Sequence, residues 1–180
     1  MRNDPKNIIE SILFVADKPL TVATIKNTLD FIATKDIRKA LEALANEYNA
    51  RGGGFHLREI AGGWQMRSRP EYRQHIARLM QSNPRRLSKA ALETLSIVAW
   101  NEPVLRREIE QIRGVDTGGV LRVLLERKLI RILGRREIPG RPLIYATTKF
   151  FLEVFDLNTI KDLPALKEVK ELKKSGEPSK

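Results

Sequence analysis

The chain has 180 residues, 42% hydrophobic but only 6% aromatic, enough for one medium domain or two small ones with aliphatic cores. Thirty-three Lys and Arg against 22 Asp and Glu give a net charge of +11, which favours an anionic partner without marking a site. With no cysteine there is no disulfide framework, thiolate nucleophile or cysteine-bearing zinc site, as expected of a protein in a reducing cytoplasm. The apolar run from Ile8 to Ala16 is broken by Glu10 and Ser11, too short to span a membrane and not laid out as a signal peptide.

In chain order, the apolar spacing predicts a helix over 8–16. Leu20 and Thr21 read as hydrophobic staple and N-cap of a second helix through Leu29, and Thr34 as the cap of a third reaching about Tyr48. Strands follow at Phe55 to Ile60 and Trp64 to Arg67, joined around Gly62-Gly63, then a helix from Glu71 to Gln81. "QSNPRR", with Pro84 stopping the preceding helix, is a linker. Leu87 and Ser88 repeat the staple and cap, ahead of helices over 89–101, 105–112 and 117–128. Strands at Leu129 to Arg136 and Leu143 to Thr147 turn through Gly140-Arg141-Pro142, and a last helix runs from Lys149 to Phe155. From Leu157 the chain is lysine-rich and ends in Gly, Pro and Ser, which predicts an extended, partly disordered tail over 157–180.

The two halves repeat one unit. Ile9, Glu10, Ser11, Ile12, Val15 and Ala16 face Leu92, Glu93, Thr94, Leu95, Val98 and Ala99 at an offset of 83. From Pro19 and Pro103 the offset is 84, and it holds through Ile25/Ile109, Ile37/Leu121 and Leu41/Leu125. Three helices followed by a two-stranded wing describe a winged-helix domain. The predicted fold is mainly α with small β-hairpins, as two tandem winged-helix (helix-turn-helix) domains over 1–83 and 88–156, joined by a linker at 84–87.

Groups placed for catalysis are missing. There is no G-x-S-x-G, H-E-x-x-H, G-x-x-x-x-G-K-[ST] or strand-borne G-x-G-x-x-G. His56 and His75 stand without companions at ligand spacing, and Gly52-Gly53-Gly54 follows a helix rather than opening one, which suits a C-cap and not a phosphate cradle. The expectation is no enzyme, no cofactor and no metal.

Base reading is poorly served as well. On the third helix of the second domain, Val120, Leu121, Leu124 and Leu125 form the apolar stripe, leaving Thr117, Gly118, Gly119, Arg122, Val123 and Glu126 outward. Arg122 is a usable donor there, while Glu126 meets phosphates with the wrong sign. Positive charge peaks around the second wing, where Arg135, Arg136 and Arg141 can take acidic side chains of a partner or, more weakly and without sequence preference, DNA phosphates. Phe14 lies off the arc of Ile8, Ile9, Ile12, Leu13, Val15 and Ala16. Ile97 and Trp100 lie off the stripe of Ala91, Leu92, Leu95, Val98 and Ala99. All three are candidate anchors for protein interfaces.

The segments "IESILFVADKPL", "GGWQMRSRPEY", "LSKAALETLSIVAW", "EIEQIRGVDTGGVLRVLLERKLI" and "LGRREIPGRPLIYATT" resemble the bacterial segregation and condensation protein B family, ScpB, from about Ile8 to Leu166. The resemblance implies two winged-helix domains, a homodimer made largely through the N-terminal ones, and C-terminal domains that grasp the middle of the kleisin ScpA. It also implies a non-enzymatic, nucleoid-associated subunit of the SMC (structural maintenance of chromosomes) complex, in which the ATPase belongs to SMC, acting in chromosome condensation and partition during cell division. The resemblance itself assigns no contact residues; the exposure and charge read above give Ile97, Trp100, Arg122, Arg135, Arg136 and Arg141 as candidate partner-binding residues and Phe14 as the candidate dimer residue. The alternative is a winged-helix DNA-binding transcription regulator. One departure stands out: where the family reads P-I-T-R-A-E-I-E this chain has "PVLRREIE", so Leu105 replaces a capping threonine, at a cost of about 1 kcal/mol.

Overall fold

The computed structural model of the chain describes residues 4–80 and 86–164. It is mixed helical with small antiparallel sheets, and it divides into two compact units between Arg86 and Leu87.

The first unit runs α1 (Pro5–Val15), α2 (Val22–Thr28), α3 (Thr34–Arg51), β1 (Phe55–Ile60), β2 (Gly63–Ser68), a 3₁₀ turn over Pro70–Tyr72 and α4 (Arg73–Leu79). Its core joins Ile9 and Leu13 of α1, Ile25 of α2, Ile37, Leu41 and Leu44 of α3, and Leu57 of β1. α1 starts three residues before the expected Ile8 because Asp4 caps it, accepting from the Lys6 amide at 3.0 Å, with Pro5 pre-set for the first turn. Thr21 caps α2 as its sequence position indicates, accepting from the Thr24 amide at 3.1 Å. Thr34 does not cap α3: Ala33 holds that position without a side-chain bond, and Thr34 is the first helical residue. α3 ends on Gly52 at φ +63°, the left-handed residue that closes a helix.

In the β1–β2 hairpin Ile60 pairs with Gly63, so the two-residue loop is Ala61-Gly62 and not Gly62-Gly63. Both loop residues have positive φ, 53° and 76°, as the tight turn of a right-twisted hairpin requires. Gly63 is needed for another reason. A Cβ there would stand 2.9 Å from backbone carbons of Pro19 and Leu20, because the Leu20 amide donates to the Trp64 carbonyl at 2.9 Å and the Trp64 amide returns at 2.8 Å. The helix expected over 71–81 is split, 3₁₀ first and then α4; Gln81 and the start of the linker lie outside the described residues.

The second unit runs α5 (Lys89–Asn101), β3 (Val104–Leu105), α6 (Arg106–Arg113), α7 (Gly118–Glu126), β4 (Ile130–Arg135), β5 (Leu143–Thr147) and α8 (Lys149–Val154). Leu95, Val98, Val104, Ile109, Leu121, Leu124, Ile130, Tyr145 and Phe151 make its core. Its sheet has the order β3-β5-β4, so the expected hairpin gains a third strand. The sequence duplication explains it. Leu20 and Val104 each follow the matched proline, and each pairs across, Leu20 with Trp64 and Val104 with Tyr145.

Ser88 caps α5, accepting from the Ala91 amide at 3.2 Å. Leu105 stands at the N-cap of α6 and lends no side-chain acceptor, but Glu108 still accepts from the Leu105 amide at 2.8 Å, preserving half of a capping box. The Leu105 side chain itself is buried. The second unit also does not stop at 156. Leu157, Ile160 and Leu163 pack against its core, and Ile160–Asp162 form a 3₁₀ turn. Apolar residues at every third position carry this segment, although its surroundings read as tail; residues 165–180 lie outside the described residues.

Candidate functional site

The second unit carries an apolar groove. Thr148 caps α8, accepting from the Phe151 amide at 3.1 Å, and its hydroxyl donates to the Lys128 carbonyl at 2.6 Å, which fixes where α8 leaves the sheet. Phe151 is thereby buried and Phe155 stacks beside it, ring centroids 4.7 Å apart. Across from them α5 presents Leu92, Ser96 and Trp100, and Leu163 completes a groove of about 100 Å³. The Ser96 hydroxyl is spent on the Leu92 carbonyl at 2.9 Å, so the lining is effectively apolar. Leu92 and Phe155 remain 45% and 41% exposed at its rim, an arrangement suited to an apolar side chain of another protein rather than to a polar small molecule.

Trp100 is half-buried, and its indole N–H donates to the Pro164 carbonyl at 3.1 Å, holding the segment after α8 against α5. Ile97 is half-buried and packs on the core instead of standing free. The stripe expected along α5 is also rearranged, with Thr94 buried and Leu92 exposed. Arg113 explains Thr94: its guanidinium donates to the Thr94 hydroxyl at 2.6 Å and to the Ala90 carbonyl at 2.7 Å.

Thr117, placed outward by the helical wheel, is buried at the start of α7. Its amide and hydroxyl both reach Glu110, which also accepts from Arg106 at 2.6 Å; Arg106 reaches Asp116 as well. The Arg106 hydrogen bond and then the Thr117 amide hold the Glu110 carboxyl below its ordinary range. Gly118 lies under the Arg106 guanidinium, where a Cβ would meet Nη1 at 3.0 Å. The outer face of α7 is therefore reduced to Gly119, Arg122, Val123 and Glu126, and Arg122 is paired with Glu126 at 3.0 Å.

Arg135, Arg136 and Arg141 share the β4–β5 wing. Arg135 donates to the Arg141 carbonyl at 3.0 Å, Arg136 faces Glu108 at 3.5 Å, and Arg141 faces Glu137 at 3.1 Å. Two of the three are thus partly neutralised by acidic neighbours. Sequence reasoning missed Leu133, which bulges between Ile132 and Gly134 and leaves Ile132 and Leu133 both exposed; no period-two pattern announces a bulge.

In the first unit Phe14 is 75% exposed, and so is Val15 at 73%, although the wheel put Val15 on the buried arc. α1 ends there, so Val15 has no further turn beneath which to pack. With Glu10, Ser11 and Tyr48 they line an open hollow of about 310 Å³. The Tyr48 hydroxyl donates to Glu10 at 2.6 Å, and that bond to a carboxylate raises the phenol above its ordinary pKa.

Among the described residues no group of three or more His, Asp or Glu side chains could hold a metal, and no helix is long and apolar enough to cross a membrane.

A family model described as segregation and condensation complex subunit ScpB matches residues 7–166. A segregation and condensation protein B from Syntrophotalea carbinolica is 45% identical over 172 residues, covering 96% of this chain and 87% of that one. One from Desulforamulus reducens is 43% identical over 167 residues, covering 93% and 92%. The crystal structure of ScpB from Mycobacterium tuberculosis is 32% identical, with a TM-score of 0.40 over 83% of this chain and 93% of that one. The chain belongs to the ScpB family of segregation and condensation complex subunits.

Proposed function

We propose that the chain is a non-enzymatic, homodimeric subunit of an SMC–kleisin complex, acting in chromosome condensation and partition at the nucleoid. Each unit is a winged-helix domain, the first pairing with a second copy through the Phe14 and Val15 face of α1. The second binds the central segment of the kleisin ScpA, and through it SMC. The observation that carries the reading is the apolar groove between α5 and α8, open at Leu92 and Phe155, in a chain of a family described as segregation and condensation complex subunits. Apolar side chains exposed around a groove favour a protein partner.

Co-purification with the matching kleisin tests it. Trp100→Ala and Leu92→Glu are expected to weaken capture, the second without emptying the core, since Leu92 is half-exposed. Ile97→Ala, which touches the core, serves as a comparison for fold loss. Full capture by Trp100→Ala and Leu92→Glu would remove the groove as the contact. Phe14→Asp should shift the chain from dimer to monomer in sedimentation; an unchanged dimer would place the interface elsewhere.

A further inference from the structure

We infer that the free edge of β4 receives an extended, acidic segment of a partner protein as an added strand. This rests on the reading of the second unit as a protein-binding domain. In the order β3-β5-β4, β4 has a neighbour on one side only among the described residues.

The ladder shows which backbone groups face outward. The Thr148 amide donates to the Leu129 carbonyl at 3.2 Å, while the Leu129 amide is turned back to the Leu124 carbonyl at 3.0 Å. By the alternation of an antiparallel ladder Arg131/Ala146 is then the next hydrogen-bonded pair, and Ile132, one step on, turns its N–H and C=O away from β5. Past the bulge the Arg136 amide donates to the Pro142 carbonyl at 2.9 Å, and the same alternation turns Arg135 outward. Two outward amides and two carbonyls thus stand at one edge, beside Ile132 and Leu133 at 44% and 46% exposure. An edge of this kind is a template for strand addition.

Charge selects the occupant. Arg131 donates to the Thr147 carbonyl and Arg135 to the Arg141 carbonyl, so both are oriented by main-chain acceptors and keep an unneutralised charge. A second copy of β4 would bring these arginines against their like, which is destabilising across a strand pair. Acidic residues alternating with apolar ones match both the arginines and the Ile132–Leu133 surface. Duplex DNA would satisfy the arginines and leave the outward amides and apolar side chains without use.

The test uses the full chain and purified kleisin. Hydrogen exchange should slow at the amides of Ile132 and Arg135 when kleisin is added, and Ile132→Pro, which removes the first of these amides, should abolish the protection at Arg135. Proline there leaves the β4–β5 bonds intact because the Ile132 amide faces outward. Arg131→Glu with Arg135→Glu, checked for an unchanged melting temperature, should weaken binding about tenfold, the effect of two exposed ion pairs lost and reversed. If wild-type chain binds kleisin and these variants bind equally, strand addition is overturned while the partner assignment stands. Absence of kleisin binding by the wild-type chain overturns both. Protection of the same amides by duplex DNA and not by kleisin assigns the edge to nucleic acid and overturns the proposal.

Discussion

Leu105 shows how one position balances two energies. As an N-cap it forgoes the about 1 kcal/mol that a threonine hydroxyl would contribute. Its side chain is 1% exposed, and complete burial of a leucine contributes about 1.5–3 kcal/mol. Leu105→Thr is therefore expected to destabilise the second unit by about 1 kcal/mol in urea denaturation; a stabilised variant would mean that the cap outweighs the burial. Glu110 gives a pH signature. Its carboxyl sits below the ordinary value of 4.5, so its bonds to Arg106 and Thr117 stabilise the fold fully above that value and lose their effect as pH falls through the lowered one. Melting temperatures followed from neutral pH to well below 4.5 should fall, and Glu110→Gln should flatten that part of the profile. At this scale the caps Thr21 and Ser88 were legible because capping involves residues three apart in sequence. Thr117 was not, because the acceptor that buries it comes from Glu110 on a different helix.

Among the elements, the segment after α8 changes the boundary of the second domain. Leu157, Ile160 and Leu163 pack on its core, and Trp100 holds the Pro164 carbonyl. A chain ending at 156 is expected to lose roughly 2–4 kcal/mol of stability in the second unit, the burial of three partly covered aliphatic side chains. Calorimetry of the shortened chain checks this, and an unchanged transition would return the boundary to 156. Helices and hairpins were readable along the chain to within a few residues, since periodicity and turn chemistry are local. The third strand of the second sheet was not, because two residues, Val104 and Leu105, carry no period and become a strand only by pairing with Tyr145 and Ile144. The α5–α8 groove was hidden for the same reason: Leu92 and Phe155 lie 63 positions apart, and only folding makes them one rim.

For the whole molecule, the charge of +11 is a matter of counting, but its use depends on pairing. Arg122 is held by Glu126, Arg136 by Glu108 and Arg141 by Glu137, so the basic face is weaker than its composition. DNA binding is expected to be weak, indifferent to sequence and steeply salt-dependent, with a slope of log affinity against log salt of about −3 if three wing arginines meet phosphates. A fluorescence titration at several salt concentrations decides it; tight, sequence-selective binding at physiological salt would favour a transcription regulator. Duplication, the order of the helices and of the two hairpins, and family membership were determined by the sequence itself, because each depends on residue type and spacing along the chain. Which apolar residues stay exposed, which arginines meet an acidic neighbour and which strand edge stays open among the described residues were decided only by tertiary structure. Those properties depend on neighbours that folding brings from distant positions, and a linear pattern cannot weigh one such neighbour against another.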